Sequence, residues 1–207
     1  MRFFRTGLVL AGPLLALGCA SPVEQSVPAL ANAHVVADFA SYKLMRVGIV
    51  PVSGDDLAQP ESIEFQDALM AEFMANSRFE VIELRSTDLE ETPPLEAHRR
   101  GWYSPRTILE LSHRHRLDAL LIPTVTDRQT YPPQRLGLQV DLVASETGQT
   151  IWNASLHIDA SEVRVRDAMK IWVENRQGDL SEHSWEMVMI SPARFARFAA
   201  HQVAAML

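Results

Sequence analysis

Residues Leu117–Ser161 read LDALLIPTVTDRQTYPPQRLGLQVDLVASETGQTIWNASLHIDAS, and the fold is decided there. Leu120 and Ile122 sit in an apolar run that reads as a buried strand. Leu136, Leu138, Val140, Leu142 and Ala144 then alternate with more polar neighbours. Trp152, Ala154, Leu156 and Ile158 do so again, opposite Asn153, Ser155, His157 and Asp159. A period of two marks strands with one buried face. Glu146-Thr147-Gly148-Gln149 supplies a short turn with Gly placed for a positive φ, so the last two strands should form a hairpin.

Working outward, the chain before this stretch alternates strand and helix signals. Arg46–Val52 (RVGIVPV) is an apolar, β-branched first strand, and Phe79–Leu84 (FEVIEL) reads as another. Between them Glu61–Ser77 has Ile63, Gln66, Leu69, Met70, Phe73 and Met74 at helical spacing. Arg85–Tyr103, with Pro93, Pro94 and Gly101, reads as loop. Ser104-Pro105 opens a helix running to Arg116, and Ser191-Pro192 opens the last one, in the manner of an N-cap serine followed by proline. A further helix is expected around Ser161–Glu174, with Gly178 as the stop after it. The order β-α-β-α-β-β-β followed by helices predicts a single α/β domain over residues 43–207. Its sheet should be mixed, parallel crossovers first and an antiparallel meander after, with the C-terminal helices packed on it.

The 207 residues, 47% hydrophobic and 22% charged, suit one core rather than two. A net charge of −7 and a pI near 5.5 argue against a nucleic-acid partner, which needs a basic surface. The only cysteine is Cys19, which excludes an internal disulfide and a thiolate metal cluster. It follows a short basic stretch, Met1–Arg5, and an apolar run, Gly7–Leu17, too short to span a bilayer. The sequence Ala16-Leu17-Gly18-Cys19 resembles the lipobox of a bacterial lipoprotein signal peptide, with Ala16 where that family favours Leu.

The resemblance implies cleavage after residue 18, lipid on Cys19 and, because Ala20 rather than Asp follows, an outer-membrane anchor facing the periplasm. Losing residues 1–18 removes Arg2 and Arg5 and takes 19 basic residues to 17 against 26 acidic, a net charge of −9. Residues 19–42, rich in Ala, Ser and Val, read as a tether carrying one short docked helix across Ala29–Ala40, where Leu30, Ala33, Val36, Ala37 and Ala40 follow helical spacing.

Signatures of catalysis are missing from the sequence: there is no G-x-S-x-G elbow, no phosphate-cradling glycine loop and no H-E-x-x-H. His113 and His115 are two apart on a helix and face away from each other, so they do not form a metal pair. His157 lies on the polar side of its strand without an identifiable nucleophile. The last helix carries Arg194, Arg197 and His201 opposite Phe195 and Phe198, and is expected to pack on the sheet rather than lie on a membrane. No catalytic residue, metal or cofactor is therefore expected. The best binding candidate is Asp127–Arg135 (DRQTYPPQR), which joins two strands where parallel pairing gives way to antiparallel, the kind of place where open α/β sheets bind ligands. Asp127, Arg128, Tyr131 and Arg135 offer charges and an aromatic anchor stiffened by Pro132-Pro133.

The lipobox, VGIVPV, FEVIEL, Asp118-Ala119 before a buried strand, Thr124-Val125-Thr126, Gly137-Leu138 and Thr147-Gly148 leading to Trp152 together resemble the periplasmic domains of a group of envelope lipoproteins. These are relatives of the curli secretion lipoprotein and the lipoprotein activators of peptidoglycan synthases. The resemblance spans about Arg46–Asp159. It implies a non-enzymatic module that binds an envelope protein or copies of itself; membership of an oligomeric outer-membrane secretion assembly is the alternative, and a hydrolase with an unrecognised site a third. The long amphipathic hairpins of the curli-type pore and the long disordered tether of the synthase activators have no counterpart here, so neither specific role transfers.

Overall fold

A computed structural model describes residues 25–54, 57, 59–90, 104–176 and 185–207. In chain order the elements are β1 (Asn32–Val35), a 3-10 turn (Phe39–Ser41), β2 (Arg46–Ile49), β3 (Ser53–Gly54), α1 (Gln59–Asn76), β4 (Glu80–Glu83), α2 (Ser86–Glu90) and α3 (Pro105–His115). The three long strands β5 (Ala119–Gln129), β6 (Arg135–Ala144) and β7 (Thr150–Asp159) follow, then α4 (Val163–Arg176), α5 (Glu186–Ile190) and α6 (Pro192–Ala204). All seven strands form one mixed sheet in the order β1-β7-β6-β5-β2-β4, with β3 pairing β5 beyond the end of β2. β2 is parallel to both β4 and β5, while β5, β6, β7 and β1 are antiparallel. The expected α/β architecture, with β5 as the strand where pairing changes sense, is the observed one.

Alternation along the long strands divides the sheet into two unlike faces. Partners opposite one another in a ladder share a face, so Val125, Leu138 and Leu156 stand together, as do Leu121, Leu142 and Trp152. This face is buried beneath α1, α4 and α6, which contribute Leu69, Phe73, Met169, Trp172, Phe195 and Phe198. Phe73 meets Trp152 edge-on at 6.4 Å, an arrangement worth about 0.5–1.5 kcal/mol beyond the area it buries. The opposite face is apolar only beside α3, where Leu120, Ile122 and Val143 join Ile108 and Leu111. Across the rest of β6, β7 and β1 it carries Gln139, Asp141, Asn153, Ser155, His157, Asn32 and His34, and no described helix packs there.

Both serine-proline starts are N-caps: Ser104 Oγ accepts from Thr107 N and Ser191 Oγ from Arg194 N, each at 3.5 Å. Arg116 ends α3 in the left-handed region (φ 56°), and Gly148 takes φ 67° in the β6–β7 turn.

Several expectations are corrected. The segment Ala29–Ala40 is not a helix: its centre is β1, paired antiparallel to β7, followed by the 3-10 turn. Helical spacing of small apolar residues lost to the hydrogen bonds offered by an open edge of β7. From Val27 onward this segment packs against the core through Leu30, Val36, Phe39 and Tyr42, so residues 25–42 are docked rather than free. The buried stripe of α1 is rotated from the expected one: Ile63 and Met74 are exposed, while Phe65, Ala68, Leu69, Glu72 and Phe73 face the core. Part of the expected loop after Arg85 is α2, and α5 precedes α6 unannounced. The signal peptide, Cys19, the rest of the loop from 91 to 103 and the stop at Gly178 lie outside the described residues.

Candidate functional site

The β5–β6 hairpin turns through Thr130–Gln134, with a cis peptide between Pro132 and Pro133. Register decides where the four candidate side chains go. Arg128 is opposite Leu136, on the helix-covered face, and pairs with Glu61 in the first turn of α1. Asp127 and Arg135 are on the other face, because a register shift after Val125 sets Asp127 opposite Gly137 while Gln129 faces Arg135. The Arg135 guanidinium donates to Gln129 Oε1 at 2.9 Å and stands across from Asp159 in the ladder. Asp159 is held below the ordinary carboxylate range first by the Ser161 side chain and backbone N–H, with Arg135 adding a smaller pull. The four residues therefore do not converge on one pocket. Tyr131 stands at the tip, 69% exposed.

Gln129 Nε2 donates to Pro133 O at 2.7 Å and to Tyr131 O at 3.3 Å, closing the turn on itself. Gln134 is fully buried; its Nε2 donates to Met189 O at 2.7 Å, and its carbonyl accepts from Ala160 N at 2.9 Å. These bonds fasten α5 and the end of β7 to the hairpin. As a result one end of the molecule collects the tip of the hairpin, the start of α1, the start of α4 and the whole of α5. Five large apolar side chains are exposed on those elements: Ile63, Tyr131, Val163, Met187 and Ile190. Val35, Met45, Met74 and Leu109 are also exposed, on other parts of the structure, and scattered exposed apolar residues are ordinary; the five at this end share elements that meet at the hairpin and make it the candidate contact surface.

Among the described residues, two clefts lie away from the hairpin. One, of about 490 Å³, is bounded by Tyr42, Lys43, His113, Asp118, Ser145 and Glu146. Its best-placed acid is engaged in the scaffold, since Asp118 Oδ2 accepts from Met45 N and Arg46 N at 2.8 and 2.9 Å. The other, of about 510 Å³, is where the chain first docks, between residues 25–27 and the late turns of α1, α4 and α6. It holds Glu72, only 2% exposed, whose carboxylate accepts from Arg176 and, at 3.0 Å, from His201 Nδ1. Burial on its own pushes the Glu72 carboxyl up, but the hydrogen bonds and charges of His201 and Arg176 outweigh it and leave the pKa lowered. Arg176 also lies over the Trp172 ring at 4.7 Å. Asn175 Nδ2 donates to Gln25 O at 2.6 Å, so this clamp also positions the incoming chain.

Sequence reasoning missed this clamp because its members are 104 and 129 residues apart. One local signal was present: Glu72 occupies the stripe Phe65, Ala68, Leu69, Phe73, and a charge on a buried stripe needs a partner. His201, expected on the polar side of the last helix, is instead turned inward to Glu72 and Trp172. Of the other histidines, His115 is 3.3 Å from Asp88 of α2 and His157 is exposed on the polar sheet face. Among the described residues no group of three or more His, Cys, Asp or Glu side chains is arranged to hold a metal ion, and no helix is long and apolar enough to cross a membrane.

No protein-family model matches the chain, and no curated protein matches it in sequence. Its solved structural neighbours include a PelC dodecamer from Paraburkholderia phytofirmans, at TM-score 0.46 and 10% identity over 79% of this chain and 96% of that one. The C-terminal domain of LpoB from Escherichia coli is similar at TM-score 0.39 and 13% identity, over 58% of this chain and 91% of that one. Lipoprotein GNA1162 from Neisseria meningitidis is similar at TM-score 0.38 and 16% identity, over 55% and 79%. At such identities and scores the likeness is one of fold, and no functional statement rests on it.

Proposed function

We propose that the chain is a periplasmic envelope lipoprotein, held to the outer membrane by lipid on Cys19, whose α/β domain acts as a non-enzymatic protein-binding or assembly module. The observation that carries the reading is the exposed apolar end built on the β5–β6 hairpin. Tyr131 is presented on a turn braced by Gln129 and tied to α5 through Gln134, while the neighbouring cations are engaged by Glu61 and Gln129. A rigid aromatic with aliphatic neighbours suits a protein contact: such anchors lose little conformational freedom on binding and dominate interface energetics. Assembly with further copies is favoured by one separate feature. No described strand pairs the outer edge of β1, whose four residues are all exposed, and an open edge accepts another strand.

Crosslinking in the native envelope, followed by identification of what is captured, tests the binding reading. Tyr131→Ala combined with Arg135→Ala is expected to abolish capture while leaving the melting temperature within a few degrees of the parent. Capture unchanged by the pair rejects the hairpin end as the contact. Cys19→Ser is expected to release the protein from membranes, and retention after a high-salt wash rejects the anchor.

A further inference from the structure

We infer that the hairpin end is the membrane-distal end of the anchored protein. Its exposed apolar side chains then serve a different polypeptide approaching from the side away from the anchoring membrane, rather than the bilayer or a second copy met tip to tip. The inference rests on the lipid-anchor reading and adds to it an orientation and a class of partner.

Gln25 is fixed by Asn175 in the last turn of α4, and residues 25–27 border the cleft formed by Glu72, Asn76, Arg176, His201 and Ala205. These belong to the late turns of α1, α4 and α6. The opposite ends of two of those helices lie at the hairpin: Glu61 at the start of α1 holds Arg128, and α4 starts just beyond Asp159, the ladder partner of Arg135. α5, immediately before α6, is bound by Gln134. The chain therefore enters at one end of the helical layer, and the apolar group sits at the other.

The distances are decisive. Glu61 and Asn76 are 15 residues apart on one helix, about 22 Å at ~1.5 Å per residue. Tyr131 lies three residues beyond Arg128, roughly 10 Å further at ~3.3 Å each. About 30 Å thus separates the tip from the point where the chain docks. Only five residues lie between Cys19 and Gln25, six Cα–Cα steps that reach at most ~20 Å even when fully extended. The docking end is tied close to the bilayer, and the tether is too short to run back along the body to the tip.

Lying on its side is opposed by charge: from Cys19 onward the net charge is −9, which an anionic surface repels. At the tip Arg128 is neutralised by Glu61, and the exposed Arg135 keeps its charge beside Asp159, so one pair of opposite charges does not reverse the net repulsion. A symmetric tip-to-tip pair would place its two anchors on opposite sides, some 60 Å apart by the same helix and strand rises, which copies sharing one membrane cannot satisfy. The occupant we favour is a different protein presenting an apolar recess to Tyr131 and its aliphatic neighbours; a copy that meets the tip with another part of its surface is the rival outcome of the test below.

The test uses residues 19–207, which contain every described residue and a single thiol. Cys19 is coupled to a maleimide lipid in vesicles of phosphatidylethanolamine and phosphatidylglycerol doped with a photoreactive headgroup, and labelled positions are mapped by mass spectrometry. Label is expected on Met74–Asn76 and around Arg176, with Thr130–Gln134 at background. Label on Thr130–Gln134 equal to or above that on Met74–Asn76 overturns the orientation. Because the coupling is chemical, this result is independent of cellular lipidation, which Cys19→Ser fractionation examines separately. In cells, Tyr131→p-benzoylphenylalanine is expected to crosslink a polypeptide that fractionates away from the outer membrane when this chain is absent. Adducts to lipid or to a second copy of the chain overturn the assignment of the partner.

Discussion

Glu72→Gln isolates the charge at the centre of the helical layer while keeping its shape. In the parent the carboxylate is buried and holds Arg176 from α4 and His201 from α6, so a single acid on α1 ties three helices together. Breaking a buried ion pair from one side costs about 3–5 kcal/mol when the stranded partner is itself buried. Here Arg176 is 33% exposed and His201 20%, so both regain some water, and the expected loss falls to about 2–3 kcal/mol. For a chain of this size that corresponds to a fall in Tm of roughly 4–12 °C. Urea unfolding at pH 7 measures it, followed by tryptophan emission, to which Trp172 contributes from beneath Arg176 and 6.2 Å from the tilted His201 ring. The pH dependence is more specific. The folded Glu72 carboxyl titrates below its ordinary value of 4.5, so its contribution is complete above that pH and is lost as pH falls through the folded value. The gap between parent and Glu72→Gln should therefore be constant near neutrality and close under acid conditions. A loss under 0.5 kcal/mol at pH 7 (about the size of a neutral surface substitution), or a gap that widens in acid, would refute the reasoning.

Two further substitutions examine how the hairpin end is built. Gln134→Ala removes the buried amide that donates to Met189 O, leaving that carbonyl without this donor, and should cost about 1–3 kcal/mol in denaturant unfolding. It should also raise hydrogen exchange across Glu186–Ile190, and unchanged exchange there would mean that α5 is held by other contacts. At Gly137, opposite the irregularity in β5, a Cβ would stand 2.5 Å from Thr126 Oγ1 and 3.1 Å from Asp127 N. Gly137→Ala is therefore expected to destabilise by about 1–3 kcal/mol, with part of the loss recovered in combination with Thr126→Ala, since the hydroxyl is the nearer obstacle. No recovery would place the conflict in the backbone.

The antiparallel half of the sheet was legible because each long strand carries its own evidence. Five alternating apolar residues from Leu136 to Ala144 leave one choice of buried face, and a slip of one residue would expose all of them. Helix starts were legible where a serine precedes a proline. β1 was not, because Asn-Ala-His-Val is too short to show a period, and its conformation comes from β7, more than a hundred residues away. The stripe on α1 was misplaced for a related reason. Ile63 and Met74 are as apolar as Leu69, and only packing decides which of them faces the core. At the hairpin, residue types were readable but their convergence was not. The register shift after Val125 and the alternation beyond it send Arg128 to one side of the sheet and Asp127 and Arg135 to the other, and no spacing rule in DRQTYPPQR announces the shift.

That division changes which part of the hairpin bears function. A site made from Asp127, Arg128 and Arg135 would need three charges on one face, and the sheet separates them. Instead each arginine braces its own side, Arg128 holding the hairpin to α1 and Arg135 closing onto Gln129. Neither Tyr131 nor Asp127 has such a structural task, and of the two only Tyr131 offers a large apolar surface. The polar face of β6, β7 and β1 adds a constraint on any partner. Ser155 and His157 are exposed there, and Asp141, though buried, is hydrogen-bonded to Gln139 at 2.9 Å. A polar surface exchanges hydrogen bonds to water for others when it is covered and gains little net, whereas burying an exposed tyrosine and its aliphatic neighbours gains about 25 cal/mol for each Å² covered. Association that starts at the tip is therefore favoured over association across the open face, and this is the physical basis for expecting Tyr131, rather than the charged residues around it, to dominate the loss of binding.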